Sequence, residues 1–147
     1  MPNLKTWRTD KQIYSVDMML AYLNTAKHPV EKIKVEELLP QLEKEVWDHR
    51  TPKMVLDKMD AKKYQSNAER IRHADMSYPI ILTANHVIVD GYHRVAKAYM
   101  EGKRDIRAHV FDAALMRKFV LVKGLDYVAL NALTIYDILE LWTKRFC

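Results

Sequence analysis

The 147-residue sequence predicts an α+β fold, in which a small mixed sheet is surrounded by helices and further helices lie near both ends of the chain. Short runs of β-branched residues between positions 32 and 110 indicate strands. Apolar residues at helical spacing precede, separate and follow these runs. A chain of this length buries roughly 68–70% of its unfolded surface, so it can form a core without disulfides or a metal. We expect one domain over residues 1–147, because no linker or repeat interrupts the pattern.

The first third of the chain is predicted to contain a helix, a short strand and a second helix. Ser15 precedes apolar residues at helical spacing, which predicts a helix at 17–26. Ile33 and Val35 alternate with lysines, as expected of a half-buried strand. The leucines that follow predict an amphipathic helix at 36–47.

Two more helix starts precede the central strands. Thr51 offers a capping hydroxyl, and Pro52 stands at the first turn, where its missing N–H is harmless. Ser66 and Glu69 have the spacing of a capping box. The sequence therefore predicts one helix after Thr51 and another that opens at Ser66.

Three short apolar runs predict the central strands of the sheet. Two of them, 80–82 and 87–89, are rich in β-branched residues and are separated by turn residues. The third, 106–110, alternates apolar and polar side chains. Between the second and third runs, 92–101 is predicted to be a helix that ends at a glycine, with Tyr99 among its inward-facing residues.

The C-terminal residues, 112–147, are predicted to form a helical extension. Helices are expected at 112–118 and, behind a threonine cap, at 134–145. The last helix carries apolar side chains, including Tyr136, around much of its circumference. Packing onto the domain explains such a helix, and a homodimer contact through it is the alternative.

The composition excludes several classes of protein. Hydrophobic residues make up 49% of the chain and charged residues 29%, which excludes a disordered protein. No apolar run approaches the ~20 residues of a membrane span, and the first ten residues lack the apolar stretch of a secretory signal. Cys147 is the one cysteine, so neither an internal disulfide nor a multi-cysteine metal site is expected. We therefore expect a soluble, cytoplasmic protein without a membrane partner.

The net charge of +5 is distributed unevenly. Residues 50–123 carry fifteen bases and eight acids, a surplus of seven, while residues 1–49 and 124–147 each sum to −1. Such an asymmetry points to an anionic partner such as a nucleotide, a nucleic acid or a phosphorylated metabolite. A solvated face of lysines explains the same pattern without any partner, so both interpretations stay open.

The most informative segment is the step from a predicted buried strand through Asp90-Gly91 into a helix. A helix N-terminus presents free N–H groups and about half a positive charge, so it favours an anion. Gly91 lets a ligand approach the backbone closely. Arg94 adds a forked donor suited to phosphate oxygens, and His93 adds a donor or an acid–base group. Asp90 suits a magnesium ion beside that phosphate.

The same segment also has a purely structural interpretation. Asp90 then only caps the helix, and Gly91 only relieves a tight turn. His93 and Arg94 are then solvated side chains. The segment matches neither the P-loop nor the dinucleotide glycine pattern.

In its context, this segment resembles the core of the ParB/sulfiredoxin superfamily. The resemblance is carried by four features in order: the Pro-Ile-Ile-Leu run at 79–82, the run Val-Asp-Gly-Tyr-His-Arg-Val-Ala-Lys-Ala at 89–98, Gly102, and the strand at 106–110. With the strand and helix at 33–42, it spans about 32–112, which is the expected core of the domain. Sulfiredoxins have a nucleophilic cysteine where this chain has Tyr92, so sulfinic-acid reduction is not expected.

The Asp-Gly-x-His-Arg form is most similar to the branch that contains free serine kinases. The resemblance implies an ATP-dependent phosphotransferase, which binds ATP or another nucleoside triphosphate with Mg²⁺ and acts on the hydroxyl group of a small molecule. Asp90 is the implied metal ligand and catalytic carboxylate, and His93 is the implied catalytic group that polarises the phosphates. Glu69 is the candidate base, although the capping box with Ser66 is by itself a sufficient explanation of this residue. The phosphates are expected to contact the turn and the preceding helix: Gly91, Tyr92, His93, Arg94, Arg70 and Arg72.

A second function stays open beside the phosphotransferase. Chromosome-partitioning ParB proteins bind CTP and carry a separate DNA-binding domain, for which no room is expected in this chain. The alternative is therefore a ParB-like module that binds nucleic acid, or nucleotide as a switch, without turnover. Nuclease activity is a third function that the resemblance leaves open.

Overall fold

The computed structural model describes residues 4–147, and this part of the chain contains seven strands and eight α-helices. The strands are β1 (Thr6–Arg8), β2 (Gln12–Ser15), β3 (Glu31–Lys34), β4 (Ile80–Thr83), β5 (Ile88–Asp90), β6 (Asp105–Phe111) and β7 (Val120–Lys123). The helices are α1 (Val16–Thr25), α2 (Val35–Leu38), α3 (Pro52–Asp57), α4 (Gln65–Arg72), α5 (Tyr92–Met100), α6 (Ala113–Arg117), α7 (Tyr127–Ala132) and α8 (Ile135–Phe146). Two 3₁₀ helices lie at Leu39–Glu43 and Lys62–Tyr64. The predicted α+β class is confirmed.

The chain divides into two compact units. One unit combines the N-terminal residues up to His28 with Asp112–Cys147, and the other is Pro29–Phe111. Each unit contains its own sheet, whereas the sequence predicted one sheet. The second unit holds every strand that the sequence predicted, and the predicted core of 32–112 nearly coincides with it.

The sheet of the unit Pro29–Phe111 is mixed, as predicted, and has the strand order β3-β6-β4-β5. β4 runs parallel to β6, with Ile80 opposite Ala108, and the other two pairings are antiparallel. Ile80, Ile81 and Leu82 are all fully buried, because this strand lies inside the sheet. β5 pairs with this strand at the edge of the sheet, and its last residue, Asp90, is followed by Gly91 and the start of α5.

Helix α5 packs one face against this sheet and ends in a Schellman motif. Val95 and Ala98 are buried in the core. Gly102 has a φ of +70°, and its N–H donates to the Tyr99 carbonyl, while the Lys103 N–H donates to the Ala98 carbonyl. The prediction that Tyr99 faces inward is wrong, because this residue is 52% exposed.

The other unit contains the sheet β1-β2-β7, in which both pairings are antiparallel. The sequence patterns did not predict these strands. The extension 112–147, expected to be helical, thus includes the strand β7 beside three helices. Thr134 caps α8 and forms a capping box with Asp137. No residue of α8 is fully buried, and Tyr136 is 78% exposed.

Two predicted helix boundaries are wrong for physical reasons. The helix expected at 36–47 stops at Leu38 and continues as a 3₁₀ helix, because Pro40 has no N–H to donate to the Glu36 carbonyl. The expected capping box at Ser66 does not form. The 3₁₀ helix before α4 runs straight into it, and the cap position is Tyr64, without a side-chain hydrogen bond.

None of the helices in residues 4–147 is both long enough and apolar enough to cross a membrane.

Candidate functional site

The backbone turn between β5 and α5 depends on Gly91. This residue has a φ of +125° and is buried. A Cβ atom at this position would lie 2.4 Å from Cγ2 and 2.8 Å from Cβ of Ile80. Glycine is therefore required at position 91 for two reasons. The backbone has a conformation that L-residues avoid, and it packs closely against β4.

The residue at the cap position of α5 has no side chain with which to cap the helix. Gly91 occupies the cap position, and the first intrahelical hydrogen bond runs from the Val95 N–H to the Gly91 carbonyl. Helix geometry leaves the N–H groups of the first turn, Tyr92 to Arg94, without intrahelical acceptors. An anion of suitable size would satisfy such donors and the positive end of the helix dipole.

Arg94 joins this turn to the start of β4. Its Nη2 donates to Asp90 Oδ2 at 3.0 Å, and its Nη1 donates to the carbonyls of Tyr78 and Pro79 at 2.9 and 2.8 Å. The side chains of Arg94 and Asp90 are only 16% and 15% exposed. The pair is therefore partly desolvated, and each group compensates the charge of the other.

Two further basic side chains bind carbonyls in the segment that leads into β4. Lys97 Nζ donates to the Ala74 carbonyl at 3.0 Å, and Arg107 donates to the Ser77 carbonyl. Together with Arg94, these side chains tie the segment 74–79 to α5 and β6. Some of the basic side chains in the positively charged segment 50–123 thus bind the protein's own backbone carbonyls.

Asp75 forms a turn within this segment. The hydroxyl and the N–H of Ser77 donate to Asp75 Oδ1 at 2.6 and 2.9 Å. These hydrogen bonds hold the pKa of the Asp75 carboxyl below its ordinary value of 3.8, and the charges of Arg94 and Lys97 act in the same direction. Because the pKa is lower in the folded state, the stabilisation is complete above about pH 3.8 and is lost as the pH falls through the folded pKa.

We expect Ser77→Ala to raise the pKa of Asp75 toward 3.8, because the substitution removes the hydroxyl donor. The measurement is an NMR pH titration of the Asp75 side-chain carboxyl. Ser66→Ala, at an exposed position on α4, is the control and should leave this pKa unchanged. An equal pKa in wild type and Ser77→Ala would contradict the stated cause.

Tyr92 contributes its side chain to the core rather than to an open site. It is partly buried and packs against the cluster formed by the sheet and α5. Burial raises the pKa of its phenol above the ordinary 10.0, so the hydroxyl stays protonated near neutral pH. Of the predicted phosphate contacts of Tyr92, its backbone N–H is the one that this geometry supports.

His93 is positioned by two residues that the sequence interpretation missed. Its ring stacks on Trp47, with centroids 4.2 Å apart and planes inclined by 12°. Its Nε2 lies 3.2 Å from Oδ1 of Asn67 on α4. An amide oxygen only accepts, so Nε2 donates in this contact in the tautomer that carries its proton there. No local sequence signal links Trp47 or Asn67 to His93, because both contacts depend on tertiary packing.

The residues predicted on α4 mostly bind one another. Glu69 accepts from Arg72 Nη1 and contacts His73 Nε2, each at 3.1 Å. Arg72 also reaches Asp60 at 3.5 Å, and Arg70 is exposed. These contacts lie within α4 and its C-terminal end, or join α4 to the segment after α3, rather than to Asp90. The carboxylate of Glu69 is thus already paired on the surface of the helix.

The donor set around Asp90 does not fit a magnesium ion. Asp90 is paired with Arg94, and within residues 4–147 no group of three or more His, Cys, Asp or Glu side chains is arranged to hold a metal. Mg²⁺ requires near-octahedral oxygen ligands, whereas a paired carboxylate next to a guanidinium offers little charge to it. An anion suits the N-terminus of α5 better, because the positive end of the helix dipole lies there and the cap residue, Gly91, has no side chain.

Comparisons with protein-family models, with curated proteins and with solved structures each found no match for this chain. The resemblance to the ParB/sulfiredoxin superfamily therefore rests on the motif from Asp90 to Arg94 and on the order of the elements around it. The geometry of the turn supplies a separate argument.

Proposed function

We propose that the chain binds the phosphate groups of a nucleotide at the N-terminus of α5. The observation that carries this proposal is the position of that helix N-terminus, which follows a buried strand directly through Gly91, a cap residue without a side chain. Such a turn offers several N–H donors and the positive end of the helix dipole at one place. The motif that resembles nucleotide-binding members of the superfamily occupies this same turn.

The two side chains at the turn have different roles in this proposal. The three hydrogen bonds of Arg94 use three of the five N–H groups of a guanidinium, so two remain for a phosphate oxygen. His93 is fixed by Trp47 and Asn67, so its ring is positioned before a ligand binds. Preorganised donors of this kind reduce the entropic cost of binding.

Transfer of a phosphoryl group from ATP to a hydroxyl acceptor is the second candidate. The position of Asp90 at the end of β5, beside the first turn of α5, supports it. Bound ATP would supply the phosphoryl group. The ion pair with Arg94 stabilises the ionised form of Asp90 and so makes it a weaker base for the proton of the acceptor. Binding without turnover requires no base, so we place the binding module before the phosphotransferase.

Nucleic-acid binding, with or without cleavage, has weaker support. Arg94, Lys97 and Arg107 each donate to backbone carbonyls, which leaves fewer cations for a phosphate backbone. A nucleic-acid interface would show a steep dependence of affinity on salt. Titration with single- and double-stranded DNA at several salt concentrations therefore separates this function from nucleotide binding.

The test of the proposal is calorimetric titration with ATP, CTP and ADP, each with and without Mg²⁺. We expect at least one nucleotide to bind, and its affinity to persist without Mg²⁺. Release of ADP in the presence of small hydroxyl compounds would establish the phosphotransferase. Failure of every nucleotide to bind at low salt would refute the proposal.

Substitutions at His93 locate the binding site. His93→Asp places a carboxylate in the first turn of α5, and the repulsion of a phosphate at ~5 Å should weaken nucleotide binding about tenfold. His93→Asn has nearly the same shape without the charge, so it is the matched control and should weaken binding less. Equal affinities for the two variants would show that the nucleotide binds elsewhere.

The proposal also covers the oligomeric state of the protein and its cellular compartment. Ile135, Tyr136 and Leu139 of α8 are all more than half exposed, which supports a homodimer through this helix. Analytical ultracentrifugation of wild type and Tyr136→Glu tests this contact. A reducing, cytoplasmic setting remains part of the proposal because the sequence has one cysteine.

A further inference from the structure

The unit Pro29–Phe111 contains a groove with a volume of about 360 Å³, formed by α2, the 3₁₀ helix that follows it, α3 and α5. Its lining does not include any residue of the Asp90–Arg94 turn. Most of its surface is apolar, and the contributing side chains are Leu39, Pro40, Leu42, Leu56 and Tyr99. Leu42 is buried in the core beneath the groove, and Leu39 and Leu56 pack against the same cluster.

The charged residues of the groove are mostly acidic. Glu36, Glu43 and Asp57 face one base, Lys53, which gives the lining a formal charge of −2. Lys53 Nζ lies 3.4 Å from Glu43 Oε1, so this base is already paired. Glu36 and Asp57 have no ion-pair partner among the residues that the structure describes. The groove is therefore acidic in a chain whose net charge is +5.

We propose that this groove binds a small organic cation, namely an ammonium or guanidinium group on an apolar body. The apolar body would cover the leucines, and the cation would lie near Glu36 and Asp57. Small-molecule sites commonly combine a mainly apolar lining with a few charged groups, and a volume of about 300–1,000 Å³ is typical. This inference is independent of the nucleotide site at α5.

Two other occupants fit the groove less well. A metal ion would require several oxygen ligands at short range, and within residues 4–147 no group of three or more His, Cys, Asp or Glu side chains is arranged to hold one. A helix from a partner protein needs apolar anchors at i, i+3, i+4 and i+7, over two turns or about 10 Å, whereas a cavity of about 360 Å³ is typical of a small-molecule site. An apolar amine satisfies both the apolar floor and the unpaired carboxylates.

The test is an NMR titration of the isotope-labelled full chain with three probes of similar size. We expect 2-phenylethylammonium to shift the resonances of Leu39, Leu42 and Leu56, and to bind more tightly than neutral 2-phenylethanol or anionic 3-phenylpropionate. Its affinity should fall as the salt concentration rises. Equal binding of the three probes, or no shift at the groove with the cation, would overturn the proposal. Binding of a lysine-containing apolar peptide without binding of the amine would overturn it too.

Variants of the acidic rim complete the test. The double variant Glu36→Gln with Asp57→Asn keeps the shape of the rim and should weaken the cation about threefold to tenfold, as expected for two exposed ion pairs. The control is Glu45→Gln with Glu101→Gln, two exposed carboxylates that do not line the groove. An equal loss of affinity in both double variants would assign the effect to net charge and would refute a built site.

Discussion

Gly91→Ala is expected to destabilise the protein by about 3–5 kcal/mol, because backbone strain at positive φ and overpacking of the core act together. The new Cβ would lie 2.4 Å from Cγ2 of Ile80, in a buried strand that cannot move without disturbing the sheet. A φ of +125° adds strain that no side-chain adjustment relieves. Equilibrium unfolding in urea measures the change in the free energy of unfolding.

Gly102→Ala is the matched control for this prediction. Gly102 also has positive φ, at +70°, but no atom lies within 4 Å of the position that its Cβ would occupy. Its cost should be about 1 kcal/mol, the strain of a left-handed alanine alone. The variant Ile80→Ala should reduce the additional cost of Gly91→Ala, because it removes the clashing methyl group. Equal costs at the two glycines would contradict the role of packing at Gly91.

Arg94→Ala should lower the free energy of unfolding by about 2–4 kcal/mol, because it removes the guanidinium from the largely buried Asp90 carboxylate and takes a donor from two carbonyls. These carbonyls belong to Tyr78 and Pro79, at the start of β4. The segment 74–79 should also exchange its amide hydrogens faster, which mass spectrometry of hydrogen exchange detects. A loss of nucleotide affinity alone, with unchanged stability, would show that the hydrogen bonds to β4 contribute nothing to folding.

Asp90→Asn separates the ion pair from the backbone contacts. It removes the charge of the partner but leaves the two hydrogen bonds from Arg94 to the carbonyls. We expect a cost of about 1 kcal/mol, well below that of Arg94→Ala. A larger cost for Asp90→Asn than for Arg94→Ala would mean that the ion pair, rather than the link to β4, determines the stability of the turn.

Local patterns predicted the elements in which local chemistry decides the conformation. The β4–β5–α5 sequence is specified by β-branched runs, a glycine and an apolar helix face, and it forms as expected. Thr51 caps α3 as predicted, by accepting from the Met54 N–H. Ser66 had an equally good pattern and failed, because the preceding 3₁₀ helix determines where α4 begins. A cap motif predicts a start only where the chain is free to turn.

The strands of the sheet β1-β2-β7 were not predicted, for a different reason. All of Ile13, Tyr14 and Ser15 are buried, so β2 lacks the alternation that marks a half-buried strand. Its partner β7 lies more than a hundred residues further along the chain, and no local signal records that pairing. The apolar run at Val120 and Val122, which ends near a glycine, is the one local hint of β7.

The candidate site was predictable as a turn but not as a set of partners. The sequence placed a strand, Gly91 and a helix N-terminus together, and the structure contains this arrangement. It did not show that Arg94 would bind Asp90 and backbone carbonyls, or that Trp47 would stack on His93. Such contacts depend on which elements pack side by side, which the sequence pattern leaves open.

The position of β6 has a consequence for the order of folding. It is an inner strand of its sheet, pairs with both β3 and β4, and is the last of the four strands along the chain. The β4–β5 hairpin and α5 involve short loops and can form early, whereas the β3–β6 pairing closes a loop of about seventy residues. During synthesis, β3 therefore has no neighbouring strand to pair with until Phe111 has left the ribosome. The exposed charged side chains of β3, Glu31, Lys32 and Lys34, disfavour pairing of this unpaired strand with another chain.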